Sequence, residues 1–196
     1  YTECDGEKLK GPNDLVFAKD GRLVFTDPGT YNPSNPDPSY IYAIDSNGKA
    51  SVVVAFEKPV FPNGVAVEDD GSVIWDESYT GHVRRKRPNG KIEDLGKMPG
   101  DNPTLDGMKI GADGRIYVTD LVGKGIHVIQ PNGKVDDFIP VGGAPTNCAF
   151  DGEILWVTDA TVLAASTEPN YAGQVWKLHI PGGGMETYKG SITVRK

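Results

Sequence analysis

The sequence predicts an all-β protein, a β-propeller of four-stranded antiparallel blades, and three observations carry that expectation. Four stretches share one layout: a small polar or acidic residue, an apolar pair, an Asp-Gly turn, and a second apolar run that ends on an acid. They open at Pro12-Asn13-Asp14-Leu15, Pro62-Asn63-Gly64-Val65, Leu105-Asp106-Gly107-Met108 and Pro145-Thr146-Asn147-Cys148, and their turns are Asp20-Gly21, Asp70-Gly71, Asp113-Gly114 and Asp151-Gly152. From Asn13 to Asn63 to Asp106 to Thr146 the steps are 50, 43 and 40 residues, a blade-sized period. A second set of turns, Asn47-Gly48, Asn89-Gly90 and Asn132-Gly133, divides the repeats again. Asn-Gly and Asp-Gly supply the positive φ that tight hairpins need, so two turns per repeat give four strands, A to D.

Each element follows in order. The A strands begin at the four openings and end at the Asp-Gly turns. The B strands end as Val24-Phe25-Thr26-Asp27, Val73-Ile74-Trp75-Asp76, Tyr117-Val118-Thr119-Asp120 and Trp156-Val157-Thr158-Asp159, which aligns Asp76 with the three terminal aspartates. C and D strands flank the Asn-Gly turns. Hairpin parity puts the A–B and C–D turns on one face, the bottom, and the A-strand starts with the B-strand ends on the other, the top. Two B–C loops on top are long, 28–39 and 160–172, and long loops on a rigid scaffold carry recognition more often than connection.

Composition bounds the class. The 196 residues suffice for a sizeable core, carried by short alternating strands rather than helical stripes. No run approaches the roughly 18 apolar residues of a membrane span. A formal net charge of −7 argues against nucleic acid as a partner and suits a cation or neutral ligand. The basic run Arg84-Arg85-Lys86-Arg87 falls in a C strand, where its side chains alternate between faces. Cys4 and Cys148 show no metal or redox spacing, and two free thiols fit a reducing compartment, so a cytoplasmic location is expected. An N-terminal signal is not readable, because residue 1 is Tyr.

No G-x-S-x-G elbow, Walker motif or H-E-x-x-H is present. His82, His127 and His179 fall in C strands, away from the axis, and are expected as strand-surface residues. What remains is the ring of side chains at the tops of the A strands, which line a propeller's channel: Asn13, Asn63, Asp106 and Thr146. Amide oxygens with a carboxylate suit a hard cation. The same residues also serve simply as turn caps.

Taken in order, Pro12-Asn13-Asp14, Pro62-Asn63-Gly64, Asp106-Gly107-Met108 and Pro145-Thr146-Asn147 resemble the gluconolactonase, regucalcin (senescence marker protein) and luciferin-regenerating enzyme family of six-bladed propellers, over about Asp5 to Pro181. The resemblance implies one divalent cation at the channel mouth held by Asn63 and Asp106, with Ca²⁺ first and Mg²⁺, Mn²⁺ or Zn²⁺ as alternatives. Asn13 is expected beside it, in contact with substrate or a metal-bound water. It also implies two further N-terminal blades, roughly 100 residues at this period, the first carrying a Glu that completes the metal site. Glu3 and Glu7 do not replace that Glu. The expectation is therefore a single β-propeller domain over 1–196, with four blades of six visible. One to two N-terminal blades would come from the same longer chain or from a second chain, unless the four blades close tightly on themselves; with the gap open, Leu15, Phe17, Cys148 and Phe150 would be exposed on the flanks.

The function implied is a metal-dependent hydrolase of the sugar-lactonase type acting on a small lactone or ester. Asp106, the only acid in the ring, serves as ligand and catalytic base. Asn13, Thr146, Glu77 and Tyr31 are the substrate-contact candidates, with Asn32, Tyr79 and Glu168 also on or near top loops. Two alternatives stay open: a non-catalytic propeller that binds metal or a partner, and a strictosidine-synthase-like enzyme, which wants a glutamate base in the funnel, for which Glu77 is the visible candidate.

Overall fold

Every regular element of the computed structural model is a β-strand, over the residues the structure describes: 1–161, 173–190 and 192. A short hairpin comes first, β1 (Glu3–Cys4) and β2 (Glu7–Lys8). Three complete blades follow, each a consecutive antiparallel meander. The first is β3 (Leu15–Phe17), β4 (Leu23–Asp27), β5 (Tyr40–Ile44) and β6 (Ala50–Ala55); the second is β7 (Pro62–Val67), β8 (Val73–Glu77), β9 (His82–Lys86) and β10 (Ile92–Lys97). The third is β11 (Leu105–Ile110), β12 (Ile116–Asp120), β13 (Gly125–Ile129) and β14 (Val135–Pro140). The fourth shows three strands among the described residues: β15 (Pro145–Asp151), β16 (Ile154–Asp159) and β17 (Gln174–His179). The chain is a β-propeller built from these four blades.

The hairpin turns fall where the Asp-Gly and Asn-Gly pairs stand, with Gly21, Gly48, Gly71, Gly90, Gly114 and Gly133 all at φ between 78° and 91°. Burial explains the strand sequences. β8 and β12 are buried at all five positions, whereas the outermost β6, β10 and β14 are mostly exposed or half-buried. Apolar side chains of one blade pack on those of the next. Val24, Ile41 and Ala43 meet Val65, Val67 and Trp75; Ala66, Ile74 and Val83 meet Met108, Ile116 and Val118; Tyr117, Ile126 and Val128 meet Cys148, Leu155 and Val157. First strands pack in order, β3 on β7, β7 on β11 and β11 on β15.

One irregularity recurs and it positions the site. The pairing of first and second strands slips by one residue between Pro62 and Val65, between Leu105 and Met108, and between Pro145 and Asn147. A β-bulge thus sits at the top of these three A strands and re-aims the residue there. Without the slip, Asn63 would share a side with Val65 and Val67 and point into the core between blades. A threonine on the facing strand satisfies the backbone that the irregular strand top frees. Gly107 N–H donates to Thr119 Oγ1 at 2.8 Å and Asn147 N–H to Thr158 Oγ1 at 3.1 Å, and in the first blade Asp14 N–H donates to Thr26 Oγ1 at 3.1 Å.

The register corrects the alignment of the second blade. Val65 faces Trp75 as Leu15 faces Phe25 and Met108 faces Val118. Asp76 therefore stands in the threonine slot, and Glu77 is the equivalent of Asp27, Asp120 and Asp159. The basic run is structural, as expected: Arg85 is buried, donates to Glu68 at 2.8 Å and to the Pro131 carbonyl at 2.9 Å, while Arg87 pairs with Glu93. His127 differs from expectation. It is buried, with Nε2 3.1 Å from Asp120 Oδ2, because the carboxylate offers a partner inside the blade interface.

The segment after β17 is a further element that the repeats do not announce. It crosses the bottom turns as a strap. Ala112 N–H donates to the Gly183 carbonyl and Met185 N–H to the Ile110 carbonyl, both at 2.9 Å, and the Tyr188 hydroxyl donates to Asp69 at 2.7 Å. Ile192 reaches the cluster of Cys4, Phe25, Tyr42 and Ile44 on the outer face of the first blade. Of the side chains expected to be open on the flanks, Leu15 is exposed, but Phe17 and Phe150 are half-covered and Cys148 is buried against the third blade. Trp156 and Val175 are exposed instead. No helix among the described residues is long and apolar enough to cross a membrane.

Candidate functional site

Five of the expected site residues converge on one cavity of about 650 Å³ at the channel mouth: Asn13, Tyr31, Asn63, Asp106 and Thr146 line it, with Phe61, Thr104, Leu121, Val122 and Asn147. Each of the four blades contributes, through the tops of β7, β11 and β15, the residues just before β3, and the loops after β4 and β12. This is the top face, since the B–C loop residues Tyr31, Leu121 and Val122 share it with the A-strand starts. Asn13 Nδ2 donates to Asn63 Oδ1 at 2.8 Å, and Asn63 Nδ2 donates to Ser78 Oγ at 3.1 Å. Ser78 in turn donates to the Leu105 carbonyl at 2.6 Å, tying the second blade to the strand that presents Asp106. Gly64, beside Asn63, leaves no room for a side chain, because a Cβ there would lie 2.5 Å from Asp76 Oδ2 and 2.6 Å from the Asp106 carbonyl.

The electrostatics are acidic. Burial, followed by the charge of Asp14, pushes the Asp106 carboxyl up to about 7, against a bond from Asn63 that favours the ion. Asp76 lies below it, fully buried, with no side chain donating to either oxygen and the Gly64 N–H as the one donor that favours its ion. Burial first, then the charges of Asp106 and Asp14, hold its carboxyl well above the ordinary range. Lys109 pairs with Asp14, its Nζ 3.7 Å from Asp14 Oδ2.

Glu77 is not brought to the cavity. It is buried within the second blade and accepts from Trp75 Nε1 at 3.2 Å, Thr80 Oγ1 at 2.6 Å and Arg84 Nε at 2.9 Å. Its register explains this, because the acids at this position clamp the top connections. Asp27 accepts from Lys10 and Gly11 N–H, and Asp159 accepts from Ala144 and Thr161 N–H and from Trp176 Nε1. Burial works against ionisation of Asp120, yet bonds from His127, Gly123 and Thr104 outweigh it and hold that carboxyl low. A glutamate base in the funnel is thus not available from Glu77. Tyr79 packs beside the cavity and accepts from Asn32 N–H at 3.0 Å, whereas Glu168 and the loop 162–172 lie outside the described residues.

Sequence reasoning did not single out Phe61, Asn147, Leu121, Val122 or Asp76. The break in the threonine pattern at Asp76 was the one available signal, and aligning it with the terminal aspartates concealed it. As to a cation, the donor set is oxygen only, an amide and a carboxylate projected by bulges into one cavity, which fits a hard divalent ion in kind. Among the described residues no group of three or more His, Cys, Asp or Glu is gathered for a metal, so Asn63 and Asp106 furnish only part of a full ligand shell.

Fold and site together define a β-propeller whose mouth presents one carboxylate among amides and hydroxyls. The chain belongs to the SMP-30/gluconolactonase/LRE-like family, whose profile matches residues 1–161. It is similar to the gluconolactonase of Zymomonas mobilis subsp. mobilis, 26% identical over 183 residues, which cover 78% of this chain and 49% of that protein. Among solved structures, a luciferin-regenerating enzyme matches with a TM-score of 0.76 at 18% identity, over 93% of this chain and 65% of the other. The calcium-binding protein regucalcin of Agrobacterium tumefaciens matches with a TM-score of 0.74 at 18% identity, again over 93% and 65%. At such identities these likenesses speak to the fold. The chain spans about half the length of the curated relative it matches.

Proposed function

We propose that this protein is a divalent-metal-dependent hydrolase that opens a lactone ring at the channel mouth. The observation that carries this reading is the convergence of Asn13, Asn63, Asp106 and Thr146, one from each blade, on a single cavity that holds one carboxylate with its proton affinity raised to near neutrality. Membership of a family that includes a gluconolactonase supports the reaction class.

Asn63 and Asp106 would hold the cation, with Ca²⁺ as the first expectation. When bound there, such an ion supplies Lewis-acid polarisation of the lactone carbonyl and balances developing charge. The chain's own groups do the rest. The Asp106 carboxylate takes a proton from the attacking water. As the water oxygen bonds to the acyl carbon, the ring C–O bond breaks and the ring oxygen leaves as a hydroxyl, receiving that proton. Asn13, Thr146 and Asn147 offer hydrogen bonds that orient the ring ester across the cavity floor.

The test is a lactone panel with chelated protein, with Ca²⁺, Mg²⁺, Mn²⁺ or Zn²⁺ restored, and with Asp106→Ala. Chelation should remove turnover and a divalent ion should restore it. Asp106→Ala should lose at least about 100-fold in kcat/KM with the fold intact, and Asn63→Ala should chiefly weaken cation binding. Turnover by Asp106→Ala at the wild-type rate would overturn the assignment. Proton and cation compete for the same carboxylate, so calorimetric cation affinity should fall as the pH drops below about 7.

A further inference from the structure

The floor of the cavity is polar, but its rim is not. On one side the rings of Tyr31, Phe61 and Tyr79 form a mutual cluster, with centroids 5.0 Å apart for Tyr31 and Phe61, 5.3 Å for Tyr31 and Tyr79, and 5.3 Å for Phe61 and Tyr79. Val122 stands on the third blade's loop and lines the same cavity. Tyr31 is 53% exposed and Val122 45% exposed, so apolar surface remains open to water at the mouth. Exposed apolar area beside convergent polar groups is the mark of a ligand surface.

The wall is built rather than incidental. Phe61 holds a left-handed φ of 54° and yet is only 6% exposed. That conformation is costly for a bulky side chain and persists only where its surroundings enforce it. The carbonyls of Val60 and Phe61 accept from Tyr79 and Ser78 N–H, and the Tyr79 hydroxyl accepts from Asn32 N–H, which fixes the loop carrying Tyr31. Among the described residues no lysine or arginine lines the cavity, and Asp106 is the one carboxylate that does. A polyhydroxylated ring would place hydroxyls against the apolar rim, where they lose hydrogen bonds.

We infer that the cavity selects a lactone bearing an apolar alkyl or aromatic substituent, with the ring ester on the polar floor and the substituent between the Tyr31–Phe61–Tyr79 wall and Val122. This rests on the lactonase reading and narrows its substrate class.

The experiment compares γ-butyrolactone, an alkyl-substituted γ-lactone, a phenyl-substituted γ-lactone and D-glucono-δ-lactone on the full chain, wild type, Tyr31→Ser and Val122→Ser. The substituted lactones should exceed γ-butyrolactone and gluconolactone by at least about tenfold in kcat/KM, mainly through KM. Each variant should lose about tenfold more on the substituted lactones than on γ-butyrolactone. A preference for gluconolactone, or an equal loss on every lactone, would overturn the inference. Binding of the matching γ-lactams, which resist hydrolysis, separates the two readings. If no lactone is turned over but the alkyl- and phenyl-substituted lactams bind more tightly than the parent and lose that advantage in Tyr31→Ser, the lactonase reading fails and the specificity of the cavity stands. Equal binding of substituted and parent lactams overturns the specificity itself.

Discussion

Asp76 shows how one side chain departs from the rule its neighbours follow. In the other blades the threonine at this slot both donates and accepts: Thr26 Oγ1 donates to the Asn63 carbonyl at 2.8 Å and Thr119 Oγ1 to the Thr146 carbonyl at 3.1 Å. A carboxyl fits this slot less well, because burial and the charges of Asp106 and Asp14 penalise its ion and no side chain donates to either oxygen of Asp76. Asp76→Thr should therefore raise stability at neutral pH by on the order of 1–3 kcal/mol, read as a higher unfolding midpoint in urea. The pH dependence has a definite sign. Asp76 and Asp106 hold their protons to higher pH in the folded chain than in the unfolded one, so their contribution to stability is complete below the ordinary carboxylate value of 3.8 and is lost as the pH rises through the folded value, about 7 for Asp106. Metal-free protein should lose stability across that window, and Asp76→Thr should flatten the loss. A wild-type midpoint that rises with pH from 4 to 7 would contradict these shifts.

At the scale of elements, the top and bottom turns should answer differently to change. Gly133 sits at φ 91°, and a Cβ there would lie 2.4 Å from the Leu95 carbonyl oxygen. Gly133→Ala should cost roughly 2 kcal/mol or more, and Gly48→Ala, at φ 78°, about 1 kcal/mol. Neither should alter ligand selectivity, because both turns lie at the opposite end of the strands from the cavity. Shortening the loop 28–39 should do the reverse. It removes Tyr31 from the cavity wall and Asn32 from Tyr79 while leaving the β4–β5 ladder in place. Thermal melts alongside the lactone panel check both halves of this expectation.

At the scale of the molecule, the last of the four blades keeps apolar side chains exposed among the described residues. Trp156 is 39% and Val175 65% exposed on adjacent strands, and Leu15 is 56% exposed at the top of β3. Apolar surface of this kind drives association. The 196-residue chain on its own should self-associate as its concentration rises. Trp156→Glu with Val175→Lys should shift sedimentation toward a monomer of 21.0 kDa. Unchanged sedimentation in the double variant would show that this face is not the adhesive one. The first blade is better covered, by the β1–β2 hairpin and Ile192 on Phe25, Tyr42 and Ile44.

The blade pattern was readable from residues because a hairpin turn is a local event. Asn-Gly and Asp-Gly favour positive φ whatever surrounds them, and their spacing set strand number, order and the face on which Asn13, Asn63, Asp106 and Thr146 emerge. Packing between blades decided the rest. The one-residue slip at the top of β7, β11 and β15 turns Asn63, Asp106 and Thr146 out of the core, and register alone revealed that Asp76, not Glu77, lies beneath the cavity. The burial of His127, the aromatic wall around Phe61 and the strap contacts of Gly183, Met185 and Tyr188 join residues distant in the chain. Nothing periodic marks such contacts, because they depend on which surfaces meet once the strands are paired rather than on the local preferences that pair them.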